Sequence, residues 1–201
     1  MARQGGTSNR RTASKSAPGR LRIVAGIWRS RLLDIADVPG LRPTSERIRE
    51  TLFNWLAPRI EGARCLDLFA GTGALGLEAL SRGAREAVFV ERSPLAAVAL
   101  RQNIAELGAD RAIVVTVDAL AHLESEIEGE FDIVFLDPPF VNDLLRESCE
   151  RLHERGVLAA GARVYLEQDR DRPLPVLPDG WRLLKNKTAG RVRYMLAAPV
   201  S

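Results

Sequence analysis

Cysteine and histidine are nearly missing from this chain, with two of each in 201 residues, and aromatic side chains make up only 5%. Two cysteines are too few for a disulfide framework, so Cys65 and Cys149 are read as small buried apolar residues of a cytoplasmic protein, with no metal expected. His122 and His153 are read as surface or helix-packing residues. The first twenty residues contain no apolar run, which leaves neither a signal peptide nor a membrane anchor there. No internal repeat is evident.

Acid is missing from one end. Residues 1–31 hold eight Arg or Lys and no Asp or Glu; of 29 basic and 26 acidic residues in all, the rest of the chain keeps twenty-one basic against all twenty-six acidic. A basic arm ahead of an acidic globule is the electrostatic footprint of a polyanion binder, most often of nucleic acid, although a solvated tail with no partner leaves the same pattern. The candidate RNA contacts are Arg10, Arg11, Arg20, Arg22, Arg29 and Arg31. Residues 1–20, rich in Gly, Ser, Thr and Arg, are read as a disordered basic tail. Leu21–Val24 and Arg31–Ile35 alternate around Gly26 and Trp28, which predicts a small β-hairpin extension over residues 21–41. Residues 42–201 are then the main domain, and 46% apolar content suffices for one sizeable core.

What is present is concentrated in Arg64–Ala84, RCLDLFAGTGALGLEALSRGA. A short apolar strand broken only by Asp67 runs into Gly71-Thr72-Gly73-Ala74-Leu75-Gly76, and Leu75, Leu77, Ala79 and Leu80 begin a buried helical stripe. Glycines serve where backbone turns sharply and touches a ligand, and Glu91, twenty residues beyond Gly71 at the end of a second apolar run, stands where a ribose-hydroxyl acceptor belongs. A carboxylate at Asp67 would repel a pyrophosphate and attract a cation. S-adenosylmethionine, with a sulfonium, an ammonium and a ribose but no phosphate, suits the loop better than NAD.

Alternating strands and helices follow: a helix over Pro94–Leu107, strands Ala112–Val117 and Phe131–Leu136, a helix near Asn142–Glu154 and a strand Ala162–Leu166. Trp181–Leu184 and Val192–Ala197 have no helix between them. This predicts an α/β, Rossmann-like doubly wound sheet of seven mostly parallel strands that ends in an antiparallel hairpin. Asp118 closes the third strand, placed to accept from an adenine amine or to cap the next helix. Thr44 or Ser45 caps an amphipathic helix whose apolar face is Ile48, Leu52, Phe53, Trp55 and Leu56.

The motif that selects a chemistry is Asp137-Pro138-Pro139-Phe140, after the strand FDIVFL. Two prolines stiffen the turn, so the Asp137 carboxylate and the Pro138 carbonyl point outward as fixed acceptors. An exocyclic amine has two hydrogens to give them, which aims its lone pair at a sulfonium methyl while Phe140 stacks on the base. Neither a metal nor a strong base is required.

RPTSERIRETLFNWL, LDLFAGTGALGLEALSRGA and FLDPPF resemble the bacterial RsmD family of 16S rRNA guanine-N2 methyltransferases, over roughly Arg20 to Ala198. The resemblance implies a class I S-adenosylmethionine-dependent enzyme acting on 16S rRNA or a small-subunit ribosomal particle, as a monomer. It assigns cofactor contacts to Asp67, Phe69, Gly71, Gly73, Glu91 and Asp118, and amine orientation to Asp137 and Pro138, with Phe140 stacking. Thr44 and Arg47 are expected over the methionine end. The basic tail exceeds what the family pattern needs. Three rivals share features with this reading: an adenine-N6 DNA methyltransferase, which would need a target-recognition region; a protein-glutamine methyltransferase, which would carry Asn at 137; and an assembly factor with a vestigial cofactor site, which would have lost one of Asp67, Glu91 or Asp137. Methylation of a base carbon is disfavoured because neither cysteine follows a proline in a candidate loop.

Overall fold

The computed structural model describes residues 19–140 and 143–200, so Arg10 and Arg11 lie outside the described residues. In chain order the elements are β1 (Arg20–Arg22), β2 (Leu32–Asp34), α1 (Glu46–Leu56), β3 (Arg64–Asp67), α2 (Ala74–Ser81), β4 (Glu86–Val90), α3 (Pro94–Leu107) and β5 (Ala112–Val115). They continue with α4 (Ala119–Glu124), β6 (Phe131–Leu136), α5 (Leu144–Arg155), β7 (Leu158–Asp169), β8 (Trp181–Ala189) and β9 (Val192–Pro199). Ser45 caps α1 by accepting from the Ile48 N–H, and Ser93 caps α3 with Pro94 next to it, where a missing N–H costs nothing.

β3 to β9 form one sheet in the order β5-β4-β3-β6-β7-β9-β8, parallel except for β9, which pairs antiparallel with both β7 and β8. The chain starts this sheet in the middle, at β3, adds β4 and β5 on one side and then crosses to β6 on the other. That reversal leaves a crevice at the carboxyl ends of β3 and β6, which is where open α/β sheets take their ligands. The central strands are apolar on both faces because helices cover both. Cys65, Ile133, Phe135 and Tyr165 join the core shared with α1 and α2, while Leu66, Val134, Leu136 and Leu166 join the core shared with α4 and α5.

Several boundaries depart from expectation, and β7 also runs on past Leu166 to Asp169. β7 begins four residues early, across a register shift opposite Phe131–Ile133, since Ala159-Ala160-Gly161 carries no strand signal of its own. β8 continues through Lys185-Asn186-Lys187-Thr188, a polar run at the sheet edge whose pairing with β9 apolar periodicity does not reveal. β5 ends at Val115, short of Val117. The N-terminal hairpin, expected beside the domain, is built into it: Leu21, Ile23 and Leu33 are buried in the α1–α2 core, and the Ile27 N–H donates to the Ser81 carbonyl at the end of α2 (2.8 Å).

Candidate active site

Asp67 ends β3 and is 2% exposed; its Oδ2 accepts from the Gly76 N–H in the first turn of α2 (3.0 Å). Burial pushes its pKa up to about 7, and although the Gly76 N–H opposes this, Asp137 and Glu91 nearby add to it. The three motif glycines do different work. Gly73 opens α2 in the left-handed conformation, φ 77°. Gly76 lets helix and sheet close up, since a Cβ there would lie 2.3 Å from the Phe89 ring. The Gly71 N–H donates to Glu91 Oε2 (2.8 Å), and the Ser93 N–H to Oε1 (2.7 Å). Glu91 therefore ties the glycine loop to the end of β4, and each of its oxygens keeps a lone pair for another donor. Asp118 caps α4, accepting from the Leu120 N–H (2.9 Å), while lining the same crevice.

That crevice is a cavity of about 790 Å³ between the segment Val38–Ser45 and the carboxyl ends of β3, β4 and β6. Phe69, Gly71, Glu91, Asp118 and Asp137 line it, with Thr44 and Arg42 on the covering segment. Gly73 shapes the loop without reaching the wall. Arg47 is exposed and lies outside the wall, because Ile48 and Arg49 take the inward positions of α1 and a helix turns 100° per residue. The cations on the cavity wall are Arg42 and Arg92.

Asp137 follows β6 across the crevice from Asp67. Its Oδ2 accepts from the Thr44 hydroxyl (3.1 Å), which fixes the carboxylate against the covering segment. Burial raises its pKa to about 6, with the Thr44 hydrogen bond opposing. Pro138 is buried and Phe140 half-buried, and the Phe140 carbonyl accepts from Arg172 Nη2 (2.7 Å). A second cavity of about 350 Å³ lies beyond, and the two share the wall made by Pro138, Pro139, Phe140 and Glu167.

Glu167 is a site residue that sequence reasoning missed. It is 5% exposed on β7, and Oε2 accepts from the Tyr165 hydroxyl (2.6 Å). Burial and the charge of Asp137 push its pKa up to about 8. The signal was available: an acid just past an apolar strand singled out Glu91 and Asp118, and Glu167 directly follows Val164–Leu166. A second omission is Arg49, 1% exposed, which pairs with the fully buried Glu78 (2.9 Å) and donates to the carbonyls of Thr44 (3.1 Å) and Arg22 (2.8 Å). Glu78 also accepts from the Val24 and Ala25 N–H groups and from Arg82. Glu78, a lone charge in the apolar run of α2, was the mark of this pair, whereas Arg49 stands in the charged first half of α1.

Cys65 and Cys149 are both buried, and burial pushes both thiols up, Cys149 to about 12, so neither offers a thiolate. The hairpin arginines answer to acids of their own chain: Arg20 to Asp34 (3.7 Å), Arg22 to Glu46 (3.6 Å) and Arg31 to Glu106 (2.9 Å), all exposed. Among the described residues Arg29 makes no ion pair, so of these four it is the one whose charge needs no exchange of partners to meet a phosphate.

A seven-stranded sheet in this order, with a glycine loop after its first strand and an Asp-Pro-Pro-Phe turn across the switch point, is the fold of the class I methyltransferases. The particular family follows from the sequence: the model described as Conserved hypothetical protein 95 matches residues 21–198, and the chain belongs to that family. It is 48% identical over 181 residues to Ribosomal RNA small subunit methyltransferase D of Escherichia coli (strain K12), covering 90% of this chain and 91% of that one. The Haemophilus influenzae protein of the same name is 44% identical over 184 residues, covering 90% and 95%. The solved structure of the putative methyltransferase yhhF from Escherichia coli superposes with a TM-score of 0.84 at 45% identity, covering 90% of this chain and 99% of that one.

Proposed function

We propose that this protein is an S-adenosylmethionine-dependent methyltransferase that modifies the exocyclic N2 of a guanine in small-subunit ribosomal RNA, acting as a cytoplasmic monomer. The observation that carries the reading is Asp137, held by Thr44 at the wall of the larger cavity, directly across the switch point from the buried acid Asp67. The donor set fits the cofactor: Asp67, Glu91, Asp118 and Asp137 make the wall acidic, which favours a cationic ligand with ribose hydroxyls over a pyrophosphate. Relatives named as methyltransferases of small-subunit ribosomal RNA support both the activity and the substrate.

When bound, S-adenosylmethionine supplies an electrophilic methyl group on a sulfonium that departs with its bonding electron pair. Glu91, with the lone pairs that Gly71 and Ser93 leave it, would hold the ribose hydroxyls. Thr44 engages Oδ2 of Asp137 and leaves Oδ1, with the Pro138 carbonyl beside it, to accept the two amine hydrogens. Acceptors fixed in this way would orient the nitrogen lone pair, and positioning together with fixed acceptors is what this chain supplies to catalysis. Once N2 has formed its bond to carbon it must shed one hydrogen as a proton, and Asp137, raised to about 6, is the acceptor in reach. Phe140 stacks on the base. The test is mass spectrometry of small-subunit rRNA from a strain lacking the gene, followed by restoration of the missing N2-methylguanine with purified protein. A full complement of methylated guanines in that strain would overturn the reading.

A further inference from the structure

We infer that Glu167 reads the guanine itself, accepting the N1–H that lies next to the N2 amine, and so sets the protein's preference for guanine over other bases that carry an amine. The inference rests on the guanine-N2 reading above and supplies what that reading lacks, since Asp137 and Pro138 would hold an amine of any base.

Geometry singles out this carboxylate. Leu136 pairs with Leu166 across the parallel strands β6 and β7, so Asp137 and Glu167 stand side by side one residue past that pair. Glu167 is 5% exposed, yet it lines both cavities and shares their common wall with Pro138, Pro139 and Phe140. Its Oε2 is held by Tyr165, and Oε1 makes no hydrogen bond to a described residue. An acceptor that opens on the cavities with no protein donor is free to take one from a ligand. Guanine offers adjacent N1–H and N2–H donors on its Watson–Crick edge, which two neighbouring carboxylates can divide between them. In adenine the ring nitrogen beside the amine carries no hydrogen and would face the ionised Glu167 acceptor to acceptor. The groups around Glu167 are Asp137 just past β6, Tyr165 on its own strand, Tyr194 across on β9, and Asp143, Arg146 and Arg172 at the smaller cavity.

The experiment uses stem-loop RNAs with guanine, 2-aminopurine or inosine at the mapped target position, assayed with the parent, Glu167→Gln and Glu167→Asp. 2-Aminopurine keeps the amine and lacks N1–H; inosine keeps N1–H and lacks the amine. Glu167→Gln should slow methylation of the guanine RNA by roughly 10- to 100-fold, the worth of one charge-assisted hydrogen bond, and should not slow the 2-aminopurine reaction, whose N1 has no hydrogen for Glu167 to accept. It should weaken binding of the inosine RNA by a similar factor, with the S-adenosylmethionine affinity of the parent and a melting temperature no lower than the parent's, while Glu167→Asp keeps part of the preference. In the parent the preference should widen as the pH rises through about 8, and in Glu167→Gln it should not. An unaltered guanine preference in Glu167→Gln, or equal slowing of both RNAs, would overturn the inference and leave the methyltransferase reading standing. Methyl groups on adenine in place of guanine would sink that reading and the inference together.

Discussion

Replacing Arg49 by alanine tests how the hairpin, the covering segment and the catalytic turn are held together. The side chain is buried against Glu78 and donates to the carbonyls of Thr44 and Arg22, so its loss removes three hydrogen bonds and half of an enclosed ion pair. Removing one partner of a buried pair costs about 3–5 kcal/mol. Glu78 would keep the Val24 and Ala25 N–H groups and Arg82, which favours the lower end, about 3 kcal/mol. For a chain of this length that corresponds to a melting temperature lower by roughly 6–12 °C. Arg49 also holds the backbone of Thr44, whose hydroxyl holds Asp137, so the rate of methyl transfer should fall by more than cofactor affinity does. Thermal denaturation followed by circular dichroism gives the first quantity, and single-turnover kinetics with calorimetry give the second. A destabilisation below about 1 kcal/mol, the level of a surface pair, would refute the reasoning.

Asp137→Ala should leave S-adenosylmethionine affinity within a few-fold and slow single-turnover methylation by on the order of a hundredfold, the usual cost of one preorganised partner; a normal rate would make Asp137 structural. Glu91→Ala should weaken cofactor binding about tenfold or more by calorimetry, through the missing ribose hydrogen bonds and a released Gly71 loop. Unchanged affinity would remove Glu91 from the site. Cofactor affinity should rise with pH up to about 7, where Asp67 gives up its proton, and Asp67→Asn should flatten that dependence. Asp67, Asp137 and Glu167 hold protons in the folded protein that the unfolded chain releases near pH 4, so the ligand-free protein should lose stability as pH rises from about 4 to 8 in urea titrations. Deleting residues 1–19, most of which lie outside the described residues, should weaken RNA binding at low salt and flatten its salt dependence, by a little under one log-log unit for each phosphate that the tail neutralises. Identical slopes would place the RNA on the hairpin or the domain face.

The fold is legible in the sequence because its signals are local and redundant. An apolar strand, a glycine turn and a helical stripe at Arg64–Ala84 each name the same unit, and the lack of a helix before Val192 identifies the antiparallel pair. Strand ends are less so: β8 is held through Lys185–Thr188 by pairing with β9, a non-local contact that leaves no periodicity in the polar edge. The hairpin can be read as a hairpin but not as part of the core, since its docking depends on Glu78 and Ser81, more than fifty residues away. Arg47 and Arg49 show the same limit within one helix. Both fit the motif segment, and only packing separates the exposed arginine from the buried one.

The acids of the site stand in the sequence as separate strand-end residues, and their grouping follows from the sheet. Side chains alternate faces along a strand, and parallel register sets neighbouring strands level with one another. Cys65 and Asp67, Phe135 and Asp137, and Tyr165 and Glu167 are pairs two residues apart, and the first of each lies in the core of the α1–α2 layer. Each strand therefore passes from an apolar residue to a carboxylate on one face as it reaches the crevice, and the three carboxylates converge on a single wall. Their burial raises all three pKa values, so acidity concentrated here costs the empty fold stability. A ligand that brings a cation to Asp67, an amine to Asp137 and a ring N–H to Glu167 offsets that cost at each position, and a phosphate-rich ligand offsets none of it.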